Sequence, residues 1–82
     1  MSAYKLLVDV MLKPEILDPQ GQAVANALPS LGFAAPVELR IGRHVELTLE
    51  APDAGSALEQ ATKIADTLLA NPVIEDYAVR LA

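Results

Sequence analysis

Apolar residues recur at every second position in four short stretches of the sequence, and this pattern constrains the fold more than any other feature. The stretches are residues 4–12, 37–41, 45–49 and 77–81. A period of two places successive side chains on opposite faces of a strand. We therefore predict four β-strands, with Gly42-Arg43 forming a tight hairpin turn between the second and the third.

Two helices are predicted in the longer intervals between these strands. Asp18-Pro19 begins the first helix, because Asp is a favoured N-cap and Pro fits the first helical position. This helix stops at Gly32, and Pro29 is expected to bend or shorten its last turn. The second helix follows Asp53 and ends at Asn71-Pro72. The predicted apolar stripes are Val24, Ala27, Leu28 and Leu31 in the first helix and Ala57, Ala61, Ile64, Ala65 and Leu68 in the second.

The order β-α-β-β-α-β indicates an α+β fold of ferredoxin-like architecture, in which two helices cover one face of an antiparallel sheet. Residues 1–82 are expected to form a single domain, because a chain of this length builds one core. The face without helices carries Leu7 and Met11 on a strand expected near the centre of the sheet. We expect this partly apolar face to mediate self-association.

The composition strengthens the expectation of a homodimer or a higher homo-oligomer. A domain of 82 residues buries only about 60% of the surface that its unfolded chain exposes, so its stability is marginal. Small domains are commonly reinforced by disulfides, metals or oligomerisation. The chain has no cysteine and a single histidine, His44, which leaves oligomerisation as the expected source of stability.

The charge distribution argues against nucleic acid and anionic membranes as partners. The net charge is −5, and no two of the six Lys and Arg residues are adjacent. Nucleic-acid binders usually carry a clustered basic surface, and the three aromatic residues are too few for a base-stacking platform. No apolar run approaches the roughly 18 residues of a membrane span. Without cysteine or a signal peptide, we expect a cytoplasmic location.

The polar residues do not assemble a recognisable catalytic site. His44 shares a predicted strand face with Glu46 and Glu50, but one histidine and two acids are a weak metal-ligand set. Glu75 and Asp76 are neighbours in the chain, so their side chains point to opposite faces of a strand. A single glycine near a helix start, Gly21, is weak evidence for a phosphate site. We therefore expect no catalytic residues, metal or cofactor in this chain.

Two long strings of residues are unusual in this sequence. The first is Lys13-Pro14 followed by Ile16-Leu17-Asp18-Pro19-Gln20-Gly21, and the second is Leu-Ala-Asn-Pro-Val-Ile-Glu-Asp-Tyr at residues 69–77. Arg40-Ile41-Gly42-Arg43 lies between them. Together these segments resemble the PurS family, the small subunits of bacterial and archaeal phosphoribosylformylglycinamidine synthase, and the resemblance extends over nearly the whole chain.

The resemblance implies a non-catalytic subunit of an ATP-dependent carbon–nitrogen ligase complex with glutamine as the nitrogen donor, acting in de novo purine synthesis. Such a subunit forms a dimer and bridges a synthetase subunit, which uses ATP with magnesium, to a glutaminase subunit that supplies ammonia. The motif positions are then candidates for contact with these partners: Lys13, Pro14, Asp18, Pro19, Gln20, Gly21, Arg40, Arg43, Asn71, Pro72, Glu75, Asp76 and Tyr77. The alternative interpretation is an ACT-like module that senses a small molecule, since such modules share the same element order.

Overall fold

Three antiparallel strands form the sheet in a computed structural model, which describes residues 1–82. β1 (Ser2–Leu12) lies at the centre, between β2 (Arg43–Ala51) and β3 (Glu75–Leu81). Leu6 is opposite Leu47 on one side and Leu81 on the other. The alternation along β1 is confirmed, because Leu6, Val8 and Val10 are fully buried on one face of the sheet.

Helix α2 (Ala54–Ile64) covers this buried face. Its N-cap is Asp53, as predicted, whose side chain accepts a hydrogen bond of 2.7 Å from the backbone N–H of Ser56. Ala57 and Ala61 are fully buried in the same core cluster as Leu6. Because alanine side chains are short, the helix approaches the sheet closely enough to exclude water from the strand residues.

The end of this helix differs from the prediction at one apolar position. Residues Ala65–Leu69 form a wider π-helical turn, in which each turn holds more residues than in an α-helix. The widening rotates the later side chains relative to the α-helical stripe. As a result Leu69 packs on the cluster of Val8 and Val10, whereas Leu68, predicted to face the core, is 78% exposed.

Helix α1 (Pro19–Ala27) begins where the sequence predicts and ends before the predicted stop at Gly32, in agreement with the shortening expected at Pro29. Asp18 is the N-cap and Pro19 occupies the first turn. The α-helix stops at Ala27, and Pro29 lies in the tighter 3₁₀ turn Leu28–Leu31 that follows. Gly32 then adopts a left-handed conformation, with φ of 97°, that favours glycine over other residues.

The predicted hairpin at Gly42-Arg43 and the predicted strand at residues 37–41 are both wrong. The chain makes no turn or bend between Pro36 and Ala51, and Arg43 is already part of β2. Residues 37–41 are extended but have no strand beside them, because Arg43 pairs with Val10 at the end of the β1–β2 ladder. Gly42 does not form a turn but allows the chain to pass close to β1, since a Cβ there would overlap the carbonyl oxygen of Val10.

The chain therefore consists of two differently built regions, which we call the body and the arm. The body is the three strands with α2 and its π turn, and the arm is residues 13–42. Helix α1 makes almost no contact with the sheet, and Leu31 is 70% exposed. The radius of gyration is 16.5 Å, compared with about 12 Å for a compact chain of this length.

The α+β class and the ferredoxin-like arrangement are confirmed, with three strands in the sheet instead of four and with α2 as the only helix packed on it. The predicted strand that is missing from the sheet, residues 37–41, lies in the arm, and the order of the remaining elements is unchanged. Neither helix has the length and apolar character needed to cross a membrane.

Candidate functional site

Asp18 joins two separate segments of the arm. The side chain is only 6% exposed. One carboxylate oxygen accepts a hydrogen bond of 3.0 Å from the N–H of Gly21, and the other accepts one of 2.8 Å from the N–H of Ile41. These two bonds, the one from Ile41 above all, hold the pKa of Asp18 below its ordinary value. A Cβ at residue 21 would overlap this carboxylate, which explains the glycine there.

Arg40 fixes the loop that leaves β1. Its Nη2 donates to three backbone carbonyl oxygens, of Leu12 at 3.3 Å, Lys13 at 3.0 Å and Ile16 at 3.1 Å. Charge-assisted hydrogen bonds of this kind are stronger than neutral ones. Asp18 and Arg40 together hold the base of the arm, where the chain leaves the body and returns to it.

Arg43 and Glu75 connect β2, β3 and the end of the π turn. The guanidinium of Arg43 lies 3.1 Å from both carboxylate oxygens of Glu75 and donates to the carbonyl of Leu69 at 2.7 Å. Glu75 also accepts a hydrogen bond of 2.8 Å from the N–H of Asn71. The Asn71 side chain accepts one from the N–H of Val73 and so stabilises the turn at Pro72.

Other motif residues connect β3 to the arm and to the π turn. Lys13 forms an ion pair of 3.0 Å with Asp76. The Tyr77 hydroxyl donates to Asp66 at 3.2 Å, and burial, with the Asp66 charge as a second cause, raises the pKa of that hydroxyl. These contacts are internal to the chain and keep the motif segments together.

The two strings that carry the resemblance therefore meet in space. A cavity of about 280 Å³ brings Asp18, Pro19 and Gln20 next to Arg43 and Glu75. A larger open groove of about 840 Å³ continues from it between α1 and the extended segment 37–40. Of the motif side chains, those of Pro14, Pro19, Gln20 and Pro72 are exposed and make no hydrogen bond.

The sheet face opposite α2 is more polar than the sequence suggested. Leu7 and Met11 are half-buried on this face, and ionic contacts surround them. Lys5 pairs with Glu46 at 2.9 Å, which lowers the pKa of Glu46. Leu7 itself is opposite Glu46 on one side and Arg80 on the other.

A contact between His44 and Asp9 on this face was not predicted. Nδ1 of His44 lies 2.6 Å from Oδ1 of Asp9, and Arg80 contacts the other oxygen. The bond to His44, followed by that to Arg80, lowers the pKa of Asp9. The register of β1 against β2 places Asp9 opposite His44, and sequence alternation alone does not fix that register. No group of three or more His, Asp or Glu side chains is arranged to hold a metal ion.

Comparisons with known proteins agree on one family. The family model PurS, described as phosphoribosylformylglycinamidine (FGAM) synthase, matches residues 5–82. The chain is 44% identical over 79 residues to the synthase subunit PurS of Synechocystis sp., covering 96% of this chain and 79% of that one. It is 47% identical over 75 residues to the Bacillus subtilis subunit, covering 90% and 87%.

Solved structures give the same result. The structure of PurLQS from Thermotoga maritima contains a chain that matches with a TM-score of 0.89 and 34% identity, covering 100% of both chains. A crystal form of B. subtilis PurS matches with a TM-score of 0.81 and 41% identity, covering 96% of this chain and 98% of that one. By its sequence over residues 5–82 and by its fold, this chain belongs to the PurS family.

Proposed function

We propose that this chain is the non-catalytic small subunit of a phosphoribosylformylglycinamidine synthase and that it bridges the synthetase and glutaminase subunits of the complex. The observation that carries the proposal is the likeness, over the whole chain, to a chain of the T. maritima PurLQS complex. The internal contacts of this chain agree with that role. His44 is paired with Asp9, and the other conspicuous charged side chains join segments of the fold.

The proposed reaction belongs to the partners. The synthetase subunit uses ATP with magnesium and ammonia to convert formylglycinamide ribonucleotide to the amidine, and the glutaminase subunit supplies the ammonia from glutamine. This chain holds the two active sites in a fixed position relative to each other, so that ammonia passes between them. We place the complex in the cytoplasm and treat residues 1–82 as one domain that acts as a unit.

The proposed contact surface is the part of the motif that the chain leaves free. Four charged motif residues already bind within the chain and therefore fix the shape of this surface: Asp18, Arg40, Arg43 and Glu75. Pro14, Gln20 and Pro72 present side chains without internal partners. Most of the motif thus serves the fold, and the few exposed positions are available to the synthetase or the glutaminase.

Complex formation tests the bridge directly. The purified synthetase and glutaminase subunits should elute together from a sizing column only when this chain is added. Gln20→Lys should weaken that co-elution, because a charged side chain would enter the contact surface. Gln60→Lys is the matched control, since Gln60 is also exposed but lies on α2, away from the motif. Co-elution of the two large subunits without this chain would overturn the proposal.

A further inference from the structure

The π turn and the turn that follows it expose three apolar side chains within six consecutive residues. We call these residues the apolar tip: Leu68, Pro72 and Val73. Leu68 is 78% exposed and Val73 is 80% exposed. Pro72 is exposed as well and has no backbone N–H to offer to water. A single exposed apolar residue is normal on a protein surface, whereas a cluster of them marks a site of contact with another molecule.

The turn that carries Pro72 and Val73 is held rigidly from the inside. The carbonyl of Asn71 accepts hydrogen bonds from the N–H groups of Ile74 at 3.0 Å and Glu75 at 2.8 Å. The Asn71 side chain accepts one from the N–H of Val73 at 3.1 Å, and the Glu75 carboxylate accepts one from the N–H of Asn71 at 2.8 Å. Arg43 in turn holds that carboxylate. A contact that is already ordered loses little conformational entropy on binding.

The exposure of Leu68 is a consequence of the widened backbone. An α-helical continuation of α2 would place Leu68 on the same stripe as Ala61 and Ala65. In the π turn the N–H of Ala70 binds the carbonyl of Ala65, five residues earlier, at 2.9 Å. Ala65 and Ala70 are therefore buried and Leu68 points to solvent. Turns of this kind are rare within helices and occur frequently at functional sites.

The charges near the apolar tip are complementary to a basic partner. Asp66 lies two residues before Leu68, and its carboxylate accepts a hydrogen bond from the neutral hydroxyl of Tyr77 but forms no ion pair. Lys63 is the one basic side chain without an internal partner, and it does not neutralise Asp66. The other five basic side chains bind within the chain: Lys5, Lys13, Arg40, Arg43 and Arg80.

We infer that the apolar tip inserts into an apolar pocket with Lys or Arg at its rim, on one of the two larger subunits of the proposed complex. The inference rests on the proposed function and adds Leu68, Val73 and Asp66 to the contact surface. A protein is the occupant because neither cavity of the chain is lined by a residue of the tip. A surface outside any cavity is covered by a concave protein surface and not by a small ligand.

Titration of the co-elution experiment tests the tip. The measured quantity is the concentration of this chain at which half of the synthetase and glutaminase subunits elute together. Val73→Ser and Leu68→Ser should each raise it about tenfold or more, because apolar surface is lost while the backbone bonds of the turn remain. Leu31→Ser is the matched control, since Leu31 is 70% exposed but lies in the arm. It should leave the concentration unchanged, and all three variants should keep the melting temperature.

A charge variant tests the basic rim. Asp66→Asn keeps an acceptor for the Tyr77 hydroxyl and removes the charge, so it should raise the half-maximal concentration in low salt but not in 1 M salt. Glu59→Gln, which removes an exposed carboxylate earlier on α2, is its control. An effect of Asp66→Asn no larger than that of Glu59→Gln would contradict the basic rim.

The remaining outcomes separate this inference from the proposed function. Equal concentrations for Leu31→Ser and the two tip variants would overturn the inference while the bridge stands. A smaller assembly of either tip variant on its own would assign the tip to a second copy of this chain and would also overturn it. Absence of co-elution with the unmodified chain at any concentration would refute the bridging function itself.

Discussion

The body and the arm of this chain bury apolar surface in opposite ways. In the body, Leu6 and Val8 are fully enclosed by the alanines of α2 and its π turn. In the arm, Leu31 and Phe33 are mostly exposed, and polar anchors at the base set the conformation. The body therefore has a packed core of its own, whereas the arm leaves apolar surface exposed.

Truncation of one leucine in each region should give the largest contrast. Leu6→Ala should lower the free energy of unfolding by about 2–5 kcal/mol, because it leaves a cavity among packed groups. Leu31→Ala should change it by less than about 0.5 kcal/mol. Chemical denaturation of the isolated chain measures both values. Similar losses in the two variants would contradict the division into a packed body and an open arm.

Two glycines provide the next contrast, at the junction of the regions. Gly42→Ala should destabilise the chain by about 1–3 kcal/mol, because the added Cβ overlaps the Val10 carbonyl and forces the strands apart. Gly55→Ala is the control: its Cβ would make only an ordinary contact within α2, where alanine is the better helix former. The melting temperatures of both variants show whether residue 42 lies as close to β1 as the structure places it. Equal melting temperatures would refute that close approach.

The anchor at the base of the arm should be sensitive to acid. Asp18→Ala removes the N-cap of α1 and the bond to Ile41, and should lower the melting temperature by roughly 5 °C near neutral pH. Because the pKa of Asp18 is lowered in the folded chain, its stabilisation is complete above the ordinary value of 3.8 and is lost as the pH falls below it. The melting temperatures of the wild type and the variant should therefore converge in acid.

Limited proteolysis shows which region responds to that change. Cleavage within residues 13–42 should increase in Asp18→Ala. The matched variant Asp53→Ala, which removes the N-cap of α2 in the body, should leave cleavage of the arm unchanged. Equal sensitivity of the arm in both variants would show that Asp18 is not its specific anchor.

The extent to which the sequence predicted this structure follows the same division. β1 and α2 are organised by burial, so their apolar periodicity identified Leu6, Val8, Ala57 and Ala61 correctly. In the arm a glycine can mark either a turn or a close approach, and the sequence alone does not separate these roles at Gly42. The widened turn that exposes Leu68 likewise has no clear sequence signal.

The sequence predicted which residues form the candidate site more completely than it predicted the role of each residue. The motif residues do meet, but most of them bind one another. Asp18 was correctly predicted to cap α1, whereas its second bond, to Ile41, depends on a contact between residues distant in sequence. The same is true of the pair formed by Asp9 and His44, which depends on strand register.

The ratio of glutamine-dependent to ammonium-dependent turnover shows whether this chain acts as a bridge between the two active sites. It is measured with the matching synthetase and glutaminase subunits, with and without this chain. We predict that the chain increases glutamine-dependent formation of the amidine and changes the reaction with concentrated ammonium far less, because a bridge affects only transfer between sites. An unchanged ratio, with both reactions or neither requiring this chain, would show that the chain is not a bridge.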